Sequence, residues 1–126
     1  MYIVNNSEAT KQLQFIAGED IALGDLVTLT GGEAVKSATG DTTIIGVAQD
    51  NALSGATISV ELAEANTIES DYTGTFTDAH IGTAFDLSDE QTVDQTAVDN
   101  GDVILVGYNA DTTKGRFVLP LANRAI

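Results

Sequence analysis

The chain contains no cysteine and no tryptophan, and only one proline, one methionine and one histidine in 126 residues. Without cysteine, disulfides, thiolate metal sites and a thiol nucleophile are excluded, while the redox compartment stays open. Any Ser-His-Asp arrangement would have to use His80, and no serine has Gly-x-Ser-x-Gly surroundings. His80 stands in Asp78-Ala79-His80-Ile81, at the start of an expected strand, and reads as an ordinary turn or surface residue. Long apolar runs are missing too. Nothing approaches the roughly 18 residues that a membrane-spanning helix needs, and the N-terminus lacks the basic-then-apolar pattern of a signal peptide.

Positive charge is scarcest of all: five Lys and Arg stand against 19 Asp and Glu, a formal net charge of −14. Phosphate backbones and anionic membrane surfaces would be repelled, so neither nucleic acid nor membrane is an expected partner. Such a charge favours solubility and suits a protein present at high copy number or docked on a basic surface. Three of the cations, Lys114, Arg116 and Arg124, fall in the last 13 residues, beside the apolar end Ala125-Ile126.

The carboxylates are densest at Asp86, Asp89, Glu90 and Asp94, with Asp99 and Asp102 following. The alternating acids, central glycine and closing glutamate of a calcium loop are absent, and aspartate is a favoured turn residue, so these read as solvated turn carboxylates. Thr30-Gly31-Gly32-Glu33 lacks the lysine and following helix of a phosphate loop. No catalytic residue, cofactor or metal is expected, and the chain does not read as an enzyme. The opposing possibility is an all-β enzyme with a carboxylate-held metal, which would lose activity when Asp86, Asp89 or Asp94 is changed.

The positive content of the sequence is architectural. In Thr42 to Leu62 an apolar run ends in Gly46-Val47, a polar loop with Gly55 follows, and Ile58, Val60 and Leu62 alternate. That is side-chain period two, a hairpin or tight meander. Val103 to Leu121 repeats it, with Gly107, a loop containing Gly115, and alternating Phe117, Leu119 and Leu121; Gly46 and Gly107 lie 61 positions apart. Upstream, Gly24-Asp25-Leu26-Val27-Thr28-Leu29 matches Gly82-Thr83-Ala84-Phe85-Asp86-Leu87 at a displacement of 58. We therefore expect an all-β barrel or sandwich with an internal duplication of about 60 residues, pseudo-repeats 19–64 and 79–123, because short strands at regular spacing separated by Gly and Asp turns build such folds.

Residues 1–14 read as an extended N-terminal arm and 15–126 as a single domain. Between the halves, Ala63 to Ile68 is compatible with one helical turn and Tyr72 to Thr77 with a strand. Pro120 lies inside the last alternating run, so that strand is expected at a sheet edge or with its N–H side unpaired, since proline cannot donate to a ladder.

These segments carry a family resemblance. GEDIALGDLVTLTGGEAVKSATGDTTIIGVAQDNALSGATISVEL and IGTAFDLSDEQTVDQTAVDNGDVILVGYNADTTKGRFVLPL, roughly residues 18 to 121, resemble the small all-β decoration (cement) proteins of tailed-bacteriophage heads. The phrases GTAFDLSDEQTVD and NGDVILVGYNAD are its most specific part. The resemblance implies a structural protein on the outer surface of the virion capsid, made in the host cytoplasm. It would bind the major capsid protein as a homotrimer and stabilise the head. It also implies partner contacts for an N-terminal arm, so Tyr2, Ile3 and Val4 are candidates for adding a strand to a partner sheet, and Arg124 and Ile126 are candidates at the other end. The alternative is a glycan-binding or adhesive module of a phage fibre or cell surface, although the sequence offers no obvious exposed aromatic pair for a saccharide.

Overall fold

Apolar alternation and glycine-marked turns produce eleven strands in the computed structural model, which describes residues 1–4 and 11–125. In chain order they are β1 (Tyr2–Val4), β2 (Gln12–Ile16), β3 (Leu26–Thr30), β4 (Glu33–Lys36), β5 (Ile44–Ala48), β6 (Thr57–Leu62), β7 (Thr67–Thr73), β8 (Ala84–Asp89), β9 (Thr92–Asp94), β10 (Val103–Asn109) and β11 (Lys114–Val118). Single 3-10 turns at Asp78–His80 and Leu121–Asn123 are the only helical elements among the described residues. The all-β expectation holds.

Strands β2-β6-β5-β3-β4 form one sheet, and a parallel bridge between Ala17 and Ala34 brings its two edges together into a closed five-stranded barrel. The second sheet has the order β1-β7-β11-β10-β8-β9. Within it, β9 pairs antiparallel with β8 and parallel with β7, through Asp71↔Thr92, Tyr72↔Val93 and Thr73↔Asp94.

The apolar run at Ile44–Ala48 does not alternate because both of its faces are covered. Ile45 and Ala48 face the barrel interior with Val27, Ile58 and Val60. Ile44 and Val47 face the other way, joining Leu26 and the second sheet's Ile68, Tyr72, Phe85, Leu105 and Phe117. One wall of the barrel is thus also a wall of the second core, so the two sheets share a strand buried on both faces. Polar bonds cross the same junction. The Leu26 amide donates to the Glu90 carbonyl (2.8 Å), the Gly40 amide to Asp102 Oδ1 (2.9 Å) and the Ala125 amide to the Ile44 carbonyl (2.9 Å).

Several local expectations change. Residues 63–68 form no helical turn: a strand runs from Thr67 to Thr73, where Ile68, Ser70 and Tyr72 point inward. Phe76 is buried from the following loop instead of from a strand. Pro120 does not mark an edge strand. Strand β11 lies between β7 and β10 and ends at Val118, and Pro120 instead precedes the 3-10 turn in which Leu121 is 79% exposed. The proline stops the strand rather than weakening its edge.

The expected arm boundary at residue 14 falls inside β2, whose Gln12, Leu13 and Gln14 pair with Glu61, Val60 and Ser59. Tyr2, Ile3 and Val4 pair antiparallel with Glu69, Ile68 and Thr67 of the same chain.

Candidate functional site

The side chains with catalytic potential are mostly engaged in holding turns. His80 Nδ1 accepts the Thr77 amide (2.9 Å), and the ring lies edge-on to Phe76 and Phe85 at centroid distances of 5.8 Å. Asp86 Oδ1 accepts the amides of Asn100 (2.8 Å) and Gly101 (2.7 Å). Asp102 joins the halves, Oδ1 accepting from Gly40 and Oδ2 from the Leu87 amide (2.9 Å). Burial raises the Asp102 carboxyl above its ordinary value, aided by the nearby Asp86 and Asp41 charges and opposed by its two amide donors. Asp94 is held below the usual carboxylate range by the Thr96 hydroxyl and amide, and Asp89 Oδ1 accepts the Gln91 amide (2.8 Å). Among the described residues no three His, Asp or Glu side chains converge as a metal-binding set.

The candidate partner contacts are dispersed. The Tyr2 phenol donates to the Glu69 carboxylate, which raises its pKa, and its ring stays half exposed. Ile3 packs against the second core, and Val4 completes the pairing with β7. One edge of β1 is therefore occupied within its own chain. Arg124 Nε donates to the Leu119 carbonyl (3.1 Å), and its backbone bridges Ile44 in parallel. Ile126 lies outside the described residues. The cations near the C-terminus do not form a basic patch: Lys114 pairs with Asp71, Arg116 lies 3.4 Å from Glu69, and Arg124 serves a carbonyl.

The described residues also form concavities, two of which hold polar side chains. One, of roughly 500 Å³, lies over β7, β10 and β11 and is lined by Glu69, Tyr108, Asn109, Thr112, Lys114 and Arg116. Its Tyr108 hydroxyl donates to Asp78 (2.9 Å), which raises the phenol's pKa. The other, of roughly 350 Å³, opens where the β2–β3 and β5–β6 connections meet the β8–β9 turn. Ile21, Ala22, Ala52 and Leu53 give it an apolar lining, and Asp20 and Glu90 are among the polar residues around it.

Sequence reasoning missed this second cleft. The signal was there: Leu53 is a single large apolar residue inside a polar, turn-rich segment, and no strand alternation accounts for it. No protein-family model and no curated protein matches the chain.

Proposed function

We propose that this protein is a structural decoration (cement) protein of a tailed-phage capsid, binding the outer surface of the assembled head and acting as a homotrimer. One observation carries the non-catalytic part of the reading: Asp86, Asp89, Asp94 and Asp102, in the densest acidic stretch, all accept backbone amides, so these carboxylates serve loop geometry. The resemblance of residues 18–121 supplies the capsid. A protein that binds only the assembled shell stabilises that shell by mass action, in proportion to its affinity and free concentration.

We read the body as a duplicated unit of about 60 residues. Each barrel strand has a counterpart in the second sheet that starts 55 to 59 residues later: β2 with β7, β3 with β8, β4 with β9, β5 with β10 and β6 with β11. The neighbour orders β2-β6-β5-β3-β4 and β7-β11-β10-β8-β9 then correspond, and a parallel contact joins the first and last strand of each.

The test is reconstitution. The purified protein is sized in solution and mixed with phage heads stripped of their decoration. Trimers that rebind and raise the heads' melting temperature support the reading; a protein indifferent to heads overturns it. A second reading, a glycan-binding module, is favoured by the cleft that sets Tyr108 beside Asn109, Glu69 and Arg116. Saccharide binding lost in Tyr108→Ala would support it.

A further inference from the structure

The smaller cleft is built rigidly. Ile21 and Ala52 exchange both backbone hydrogen bonds, at 2.8 and 2.9 Å, so its floor is pinned. The Leu23 amide donates to Asn51 Oδ1 (2.9 Å) and the Ser54 amide to Asp20 Oδ1 (2.9 Å), fixing the two connections against each other. Asp25, only 1% exposed, accepts the Ala22 amide (2.8 Å) with one oxygen and Gln91 Nε2 (2.7 Å) with the other. That second bond ties the β8–β9 turn to the opposite wall. A site held this way loses little conformational freedom on binding.

In this lining Leu53 is 72% exposed, and Leu23, next in sequence to the lining residue Ala22, is 58% exposed. Acidic charge predominates around it: Asp20, Asp25 and Glu90 contribute carboxylates, and the single cation in the lining, Lys36, lies 3.6 Å from Glu19 in a partly exposed pair. The Glu90 carboxylate has no hydrogen bond or ion pair among the described residues.

We propose that this cleft docks a segment of a partner protein carrying a large aliphatic side chain flanked by Lys or Arg. The aliphatic group would cover Leu53 and the Ile21–Ala52 floor, and the cations would meet Glu90 and Asp20. A second copy of this chain is a poorer occupant of this cleft, because with five Lys and Arg against 19 Asp and Glu it offers few aliphatic segments flanked by cations. The inference rests on the decoration reading for the identity of the partner, the capsid shell. Its chemistry is tested without the shell.

The test titrates the isotope-labelled full chain with two peptides, acetyl-Gly-Lys-Leu-Leu-Lys-Gly-amide and its twin with Glu in place of both Lys. The basic peptide is expected to shift the amides of Ala22, Leu23, Asn51, Leu53 and Gln91 saturably. Raising salt from about 0.05 to 0.5 M should weaken it at least about threefold, since the Debye length falls from about 14 Å to about 4 Å and screens the attraction between exposed charges. Leu53→Asp, at an exposed side chain, and Glu90→Gln, at a half-buried one, should weaken binding about tenfold and about threefold with the remaining amides unmoved. Absence of shifts at the cleft, or equal shifts with the acidic twin, overturns the inference. Stripped heads separate the two readings. If wild type binds heads and Leu53→Asp binds them as tightly, the cleft assignment falls and decoration stands. If the basic peptide docks but wild type ignores heads, the cleft stands and decoration falls.

Discussion

Gly46→Ala is expected to unfold the protein far more readily than its sequence counterpart Gly107→Ala. A Cβ on Gly46 would sit 1.9 Å from the Glu61 carbonyl oxygen and 2.8 Å from its carbon, on the neighbouring strand β6. Both obstacles are backbone, so no side-chain rotation relieves them. To restore a tolerable contact β6 must withdraw by about 1 Å, which carries backbone bonds beyond the usual ~3.2 Å limit. The bonds most affected are the flanking Ala63 amide to Ile45 carbonyl (2.9 Å) and Gln49 amide to Ser59 carbonyl (2.9 Å). Losing two such bonds costs roughly 1–3 kcal/mol. Loosening the packing of Ile45, Val60 and Leu62 adds to this, and the stiffer unfolded chain returns only about 0.4–1 kcal/mol. We expect a net loss of about 3–5 kcal/mol, a large share of a typical domain's stability.

At Gly107 a Cβ meets nothing within 4 Å and its backbone is not left-handed. Alanine there should change stability by no more than about 0.5–1 kcal/mol, and in the stabilising direction if anything. The assay is urea denaturation followed by far-UV circular dichroism, since there is no tryptophan, with midpoint and slope compared for the three proteins. A Gly46→Ala variant within about 1 kcal/mol of wild type, or a Gly107→Ala variant that is the weaker of the two, refutes the reasoning.

Three further outcomes follow from the packing and the charges. Phe76, 4% exposed, packs its ring against Tyr72 (4.4 Å), Phe85 (5.1 Å) and Phe117 (6.1 Å); Phe76→Ala should cost about 3–5 kcal/mol in the same assay, and a loss under about 1.5 kcal/mol would show that the loop collapses into the space. Because the native Asp102 carboxyl titrates above its unfolded value of 3.8, the stability it contributes is fully present below that pH and lost as pH rises through the native pKa. The stability difference between wild type and Asp102→Asn should therefore shift against wild type as pH rises from about 3 to 7, and urea midpoints moving the other way would contradict the sign. Lys114→Met breaks an exposed pair with Asp71 and should alter stability by less than about 1 kcal/mol, a larger change in thermal unfolding being the adverse result.

The strands around Val27, Ile44–Ala48, Ile58–Leu62 and Val103–Val118 were legible from the chain alone, because period-two burial and glycine-rich turns are local properties. The 63–77 segment was not: whether Ile68 or Phe76 lies in a strand depends on the partners that β11 and β9 offer to β7. Pro120 misled for the same reason, since a proline can stop a strand as well as mark an edge, and only the neighbours decide.

The acidic stretch from Asp86 to Asp102 showed its composition but not its use, because the Gly40 amide that Asp102 accepts is 62 residues away. The cleft of Ile21, Ala52, Leu53 and Glu90 is likewise assembled from three connections distant in sequence. By itself the sequence determined an acidic, cysteine-free, all-β chain with twice-used turn signals, since composition and side-chain period need no knowledge of distant contacts. Which glycine has no room, which carboxylate bridges the halves and where apolar surface stays uncovered were decided by tertiary structure alone, because each depends on atoms brought together only by folding.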